Sequence, residues 1–184
     1  MEYYNEKRFQ NWIKKIAESV VDESDASTFA VFDQMLEDIV IACLNIVRAV
    51  KDREIKKTDA VGEVSKIMSL LNKNYKFDSA LKDEVFQFTL ESIRAVLLSF
   101  QYYLEGKFSK KDFRSLLANA VSKEKDGDYE SALDAIARMG AKIIKGERLP
   151  ELDIPEDGVV LSWLDGIDAI NAVLELNRID APAE

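Results

Sequence analysis

The stretch STFAVFDQMLEDIVIACLNIVRAVKD, residues 27–52, decides the fold of this chain. Its apolar side chains recur at alternating intervals of three and four positions: Phe29, Phe32, Leu36, Ile39, Cys43, Ile46 and Val50. This spacing is typical of a helix that packs lengthwise against other helices in a bundle. Other apolar residues of the stretch lie off this seam, so the helix is apolar nearly all round. Such a helix belongs in the centre of a domain.

A second long helix is predicted over residues 79–105, because the same seam recurs there. Five shorter helices are predicted from apolar periodicity over residues 6–20, 58–73, 109–123, 129–145 and 158–178. No stretch alternates at period two over the length of a strand, so no sheet is expected. We predict an all-α, single-domain bundle over residues 1–184, with about seven helices and two long central ones. The last residues, IDAPAE, are expected to fray.

An internal duplication is indicated when the chain is shifted by 54 residues, which lays the first long helix on the second. Eight of the 27 positions from 31 to 57 are then identical. Two helices with the same apolar spacing share some identical residues at their apolar positions even without a common origin, and this is the simpler explanation. Glu37 with Glu91, and Lys56-Lys57 with Lys110-Lys111, match outside the seam. If the duplication is real, residues 27–73 and 79–123 are repeat units, each a helical hairpin, and together they build a four-helix core.

Composition excludes several classes of chemistry. The chain has 184 residues, no histidine and a single cysteine, Cys43. Without histidine there is no Ser-His-Asp or Cys-His catalysis, and no His-ligated zinc or haem. One cysteine excludes disulfide frameworks and iron–sulfur clusters. There is no Gly-rich phosphate loop either, and we expect no cofactor.

Neither a membrane span nor a leader sequence is recognisable. The longest unbroken apolar run, Ile39 to Leu44, is far shorter than the ~20 residues that cross a bilayer. The opening residues, MEYYNEKRFQ, are charged and aromatic, unlike a signal peptide. With a single thiol and no secretory signal, we expect a cytoplasmic protein that is not bound to a membrane.

Charge is unevenly distributed in this acidic chain, whose net charge is −9. No Lys or Arg occurs from Glu18 to Val47, whereas the turns KDREIKK (51–57) and KFSKKDFR (107–114) are positive. If the two turns meet at one end, an anion-binding or partner-binding patch is predicted, with these cations: Lys51, Arg53, Lys56, Lys57, Lys107, Lys110, Lys111 and Arg114. The simpler reading is two solvated turns, because cations are favoured near helix C-termini in any case.

A magnesium site is a second hypothesis, since magnesium takes oxygen ligands and needs no histidine. All-helical nucleoside triphosphate pyrophosphohydrolases hold this ion with Glu-x-x-Glu and Glu-x-x-Asp pairs on adjacent helices. The candidate ligands on the two long helices are Asp33, Glu37, Glu84 and Glu91. They do not have the required spacing, and a solvated carboxylate is the commoner case.

Four segments together resemble a known family: YYNEKRFQNWI (3–13), IVIACL (39–44), YESALDAIARMG (129–140) and VVLSWLDGIDAI (159–170). The resemblance is to an uncharacterised archaeal family of unknown function, found in methanogens and halophiles. It spans most of the chain and implies an archaeal cytoplasmic protein. None of the segments is a catalytic motif, so the resemblance implies no activity and no site residues.

The function favoured by the sequence is that of a non-catalytic helical interaction or adaptor protein, with a protein partner or a second copy in a homodimer. Off-seam apolar residues on the long helices motivate the homodimer. One alternative is a magnesium-dependent hydrolase that uses the four carboxylates. The other is nucleic-acid or ribosome association through the basic turns, which the net negative charge disfavours.

Overall fold

A computed structural model describes residues 2–179 and confirms the all-α prediction, with seven helices and no strand over that range. A short 3-10 turn, Ala26–Phe29, precedes the second helix. The helices are α1 Glu6–Glu18, α2 Ala30–Lys51, α3 Lys57–Leu70, α4 Ala80–Glu105, α5 Phe113–Lys125, α6 Tyr129–Lys145 and α7 Val159–Ile179. Of the tail predicted to fray, residues 180–184 lie outside the described part of the chain.

Short polar side chains set where the helices begin. The side chains of Asn5, Ser79 and Asp128 each accept a hydrogen bond from a backbone N–H in the first turn of α1, α4 and α6. Asp112 does the same for α5, so that helix begins later than the predicted residue 109. These bonds satisfy donors that have no partner inside the helix. At Gly106, where α4 ends, the φ angle is +74°, a conformation that glycine adopts without strain.

Helix α4 is the centre of the molecule. Its most extensive contacts are with α7 and α6, and it also packs on α3 and α2. Phe86, Ile93, Leu97 and Phe100 are buried on one face of α4, and Ser92 and Ser99 are buried on a second, while Glu84 and Gln87 are exposed on a third. The burial is consistent with a helix whose apolar residues are not confined to one face.

Two glycines allow neighbouring helices to approach α4 closely. A Cβ atom on Gly166 of α7 would lie 2.2 Å from the backbone oxygen of Ser92. A Cβ atom on Gly140 of α6 would lie 1.9 Å from Ser99 Oγ and 2.4 Å from Ser99 Cβ. Neither position has room for a side chain, so α7 and α6 approach α4 at its two buried serines.

The two long helices differ in how the following short helix packs. Helix α2 packs on α3, whereas α5 packs mainly on α6 and its contact with α4 is slight. The most extensive helix packing is among α4, α6 and α7, and α2 packs on both α4 and α7. The duplication of residues 27–73 and 79–123 stays a prediction.

Polar contacts attach helix α1 to the bundle. Asp38 of α2 accepts hydrogen bonds from Arg8 Nε at 2.9 Å and from Trp12 Nε1 at 2.8 Å. At the other end of α1, the buried Lys82 of α4 donates from Nζ to the carbonyl oxygen of Ala17 at 3.0 Å. The Lys82 ammonium also pairs with Asp78 at 2.9 Å.

Candidate functional site

Both positive turns border a single groove. It has a volume of about 400 Å³ and is lined by residues of the α2–α3 and α4–α5 connections and by the end of α6. We call it the basic groove and define it by Lys51, Lys57, Tyr103, Gly106, Phe108 and Lys145. Of the eight predicted cations, two line it, Lys51 and Lys57. Lys145 was not predicted, because it is far from both turns in the sequence.

The other six predicted cations do not line this groove. Arg53 and Lys56 lie in the α2–α3 turn, and Lys110 and Lys111 in the α4–α5 turn, all of them exposed. Lys107 pairs with Glu105 at 2.6 Å, and its ammonium lies 5.1 Å from the centre of the Tyr102 ring. Arg114 lines a different concavity, on the side of α5 that faces Leu152.

Most cations of the two basic turns have no carboxylate partner within residues 2–179. Apart from Lys107, none of the eight predicted cations forms an ion pair with a residue in 2–179, and neither does Lys145. No direct ion pair within residues 2–179 therefore holds these charged groups in place.

Aromatic and aliphatic groups form the floor of the basic groove. The rings of Tyr103 and Phe108 meet edge to face, with centroids 6.1 Å apart. The Lys145 ammonium lies 4.4 Å from the centre of the Phe108 ring, within the range of a cation–π interaction. Val47, Val50 and Leu104 complete the floor, so cations stand over an apolar surface.

The four carboxylates considered as magnesium ligands are not brought together. Glu91 accepts a hydrogen bond from Trp163 Nε1 at 2.9 Å and lies 3.4 Å from Arg94 Nε. Asp33 and Glu37 line a concavity against α7, and Glu84 is exposed. Over residues 2–179, no group of three or more potential ligands is placed to hold a metal ion. Glu91 instead anchors Trp163, as Asp38 anchors Trp12.

A second groove, which the sequence did not reveal, runs along the outer face of α7. It consists of two adjoining concavities, of about 600 and 230 Å³, both lined by Asp165 and Asp168. The larger lies between Phe88 of α4 and the loop before α7, and the smaller between α7 and α2. We call the two together the acidic groove. Helix α2 contributes to both sites, with Asp33 and Glu37 near its start and Lys51 at its end.

Electrostatics distinguish Asp165 among these carboxylates. Desolvation by the surrounding protein raises its pKa above the ordinary value, and the nearby Asp33 and Asp168 carboxylates raise it further. Ser92 Oγ, 3.3 Å from Asp165 Oδ2, opposes the rise by donating a hydrogen bond. Desolvation also raises the pKa of Asp33. The surrounding protein therefore disfavours the ionised forms of Asp165 and Asp33 relative to carboxylates in water.

Comparison with known proteins gives one match. The sequence profile of a family described as an uncharacterised protein conserved in archaea (DUF2150) matches residues 2–180. Neither the curated proteins nor the solved structures contain a match to this chain. Within residues 2–179, none of the helices combines the length and apolar character needed to cross a membrane.

Proposed function

Because the chain belongs to this archaeal family, whose description names no activity, we propose a function from the chain's own surfaces. It is a non-catalytic interaction protein of the cytoplasm, and its basic groove docks an acidic segment of a partner protein. The chain has no histidine, and its one cysteine is buried, so the usual nucleophile–base pairs are missing. Binding and not catalysis is the use that these residues favour.

One observation carries the proposal: Lys51, Lys57 and Lys145 line the basic groove, and none of them forms an ion pair with a carboxylate of residues 2–179, although acids outnumber bases by 34 to 25 overall. Like charges held close together repel each other, and an anionic ligand relieves that repulsion. In a chain with excess carboxylates, local acids could have neutralised these cations. The arrangement therefore favours a negatively charged partner.

The groove floor favours a protein segment over a nucleic acid. Val47, Val50 and Leu104 offer apolar surface beneath the lysines, which matches a segment that alternates acidic and apolar side chains. A long phosphate backbone would also meet the rest of a surface whose net charge is −9. Nucleic-acid binding is kept as the second candidate, because Tyr103 and Phe108 could stack on bases.

The test uses the full chain and two labelled probes, a 15-residue Glu/Leu amphipathic peptide and a single-stranded RNA of 15 nucleotides, followed by fluorescence anisotropy. The variant K51Q/K57Q/K145Q removes three charges from the groove. The control variant K7Q/K15Q/K125Q also removes three positive charges. These lysines form no ion pair with a carboxylate of residues 2–179 and do not line the basic groove. We expect about tenfold weaker peptide binding for the groove variant and an unchanged affinity for its control.

Three results would count against this function. Equal peptide affinity for the two triple variants contradicts docking at the basic groove. Tighter binding of the RNA than of the peptide, with a steep loss of affinity as salt is raised, favours the second candidate. A dimer mass by light scattering that falls to the monomer mass in K51Q/K57Q/K145Q makes a second copy the partner.

A further inference from the structure

We propose that the acidic groove is a second docking site, and that it seats a basic amphipathic helix of a partner protein. This inference is independent of the basic groove, since the two sites share no lining residue. It commits to one occupant, a helix with Lys or Arg on one face and aliphatic side chains on the other.

The length of the groove matches a helical segment. Its lining on α7 runs from Leu161 to Leu176, with Asp165, Asp168 and Ala172 between them. At a rise of about 1.5 Å per residue this stripe is about 22 Å long, which corresponds to roughly four turns of a partner helix. A helix laid along α7 would thus contact the groove over its whole length.

The floor of the acidic groove is apolar and reaches the solvent. Phe88, Ile154 and Leu176 line it and are exposed by 36%, 60% and 56%. They account for half of the six large hydrophobic side chains exposed in the described chain. Exposed apolar side chains that line one groove are typical of a binding surface.

Charge identifies the occupant as basic. Every charged residue that lines the groove is an acid: Asp33, Glu37, Glu151, Asp165 and Asp168. None of these five forms an ion pair with a Lys or Arg of residues 2–179. Desolvation and mutual repulsion already disfavour the ionised form of Asp165. A cationic side chain placed over the groove reduces the repulsion between the carboxylates, and its attraction offsets the cost of their desolvation.

The probe for the test is a fluorescently labelled 15-residue Lys/Leu peptide with its leucines on one helical face. A scrambled peptide of the same composition is the probe control. D165N/D168N removes two groove charges with little change of shape, and E23Q/E156Q removes two charges from exposed positions outside the groove. Folding of each variant is checked by circular dichroism.

We expect saturable binding of the amphipathic peptide, about tenfold weaker in D165N/D168N and unchanged in E23Q/E156Q. A separate pair of variants tests the apolar floor without disturbing the core. I154S/L176S should weaken binding, whereas V20S, at a side chain exposed by 81% outside the groove, should not. K51Q/K57Q/K145Q should bind this peptide like the wild type, which separates the present inference from the proposed function.

Equal affinity for the scrambled peptide would overturn the proposal, because charge alone would then explain the binding. Equal losses in D165N/D168N and E23Q/E156Q would overturn it for the same reason. A wild-type dimer that dissociates in I154S/L176S would assign the groove to a second copy of the chain, and would also reject the basic helix as its occupant.

Discussion

The approach of α6 to α4 can be tested by exchanging the residues at their crossing. In G140A, the new Cβ would lie 1.9 Å from Ser99 Oγ and 2.4 Å from Ser99 Cβ. Overpacking of this kind costs about 1–3 kcal/mol, and the larger value applies because rotation of Ser99 cannot move its Cβ. Alanine regains about 1 kcal/mol of helix propensity. We therefore expect G140A to lower the free energy of unfolding by about 2 kcal/mol.

The exchanged variant S99G/G140A is the decisive comparison. S99G alone should cost about 1 kcal/mol, because glycine is placed in the interior of α4. If the two sites were independent, the losses would add to about 3 kcal/mol. Glycine at 99 instead removes the two closest atoms that the alanine meets and leaves only Ile167 Cγ2 at 3.1 Å, the end of a side chain that can shift slightly. We therefore expect the double variant within about 1 kcal/mol of wild type.

At the other crossing the same exchange should fail. The atom nearest to a Cβ on Gly166 is the backbone oxygen of Ser92, at 2.2 Å, which no substitution of Ser92 removes. G166A should therefore be destabilised with or without S92G. The measurement is urea unfolding followed by tryptophan fluorescence. Rescue at both crossings or at neither would refute the close approach described here.

Three further predictions concern titratable groups. Because the pKa of Asp165 is raised in the folded protein, folding favours the protonated form of this carboxyl. Protonated Asp165 therefore contributes to the free energy of unfolding at low pH, and this contribution is lost as the pH rises through the pKa of Asp165 in the folded protein. D165N should thus be more stable than wild type at pH 7, with the gain absent below about pH 3.9, the ordinary Asp pKa; an equal gain in urea melts at both pH values would contradict this. K82M should cost about 2 kcal/mol, because the carbonyl oxygen of Ala17 loses a charged donor. Hydrogen exchange should then accelerate in α1 more than in α4, whereas K76M, at an exposed lysine, should change neither. Burial raises the pKa of the Cys43 thiol, so it should react with a disulfide reagent at pH 8 only as fast as the protein unfolds. Fast modification of the folded protein would refute its burial.

The sequence predicted what depends on periodicity within one helix. The seam of α4 and most of the seam of α2 are buried. It was harder to predict which helices pack against each other, because the apolar face of one helix looks like that of another in the sequence. Helix α5 packs on α6 and hardly on α4, and no local sequence pattern distinguishes these two partners.

Sites built from segments that are far apart in the chain could not be predicted either, because no local sequence pattern shows which segments meet. The acidic groove joins Phe88, Leu152 and Asp165, which belong to α4, a loop and α7, and none of them stands in a recognisable motif. Lys145 reaches the basic groove from the end of α6. The four carboxylates were grouped by their positions on two helices, but Glu91 accepts a hydrogen bond from Trp163, while Asp33 and Glu37 line a concavity of which Glu91 is not part.

Helix α2 contributes side chains to both grooves, and this has a mechanical consequence. Glu37 and Lys51 lie on one uninterrupted helix, so about 21 Å of rigid rod separates their positions at 1.5 Å per residue. A helix resists stretching, so two segments bound at once would be held at a constant spacing. The protein would then hold its two partners at a fixed distance from each other. Resonance energy transfer between dyes on the two bound peptides should give one narrow distribution of distances.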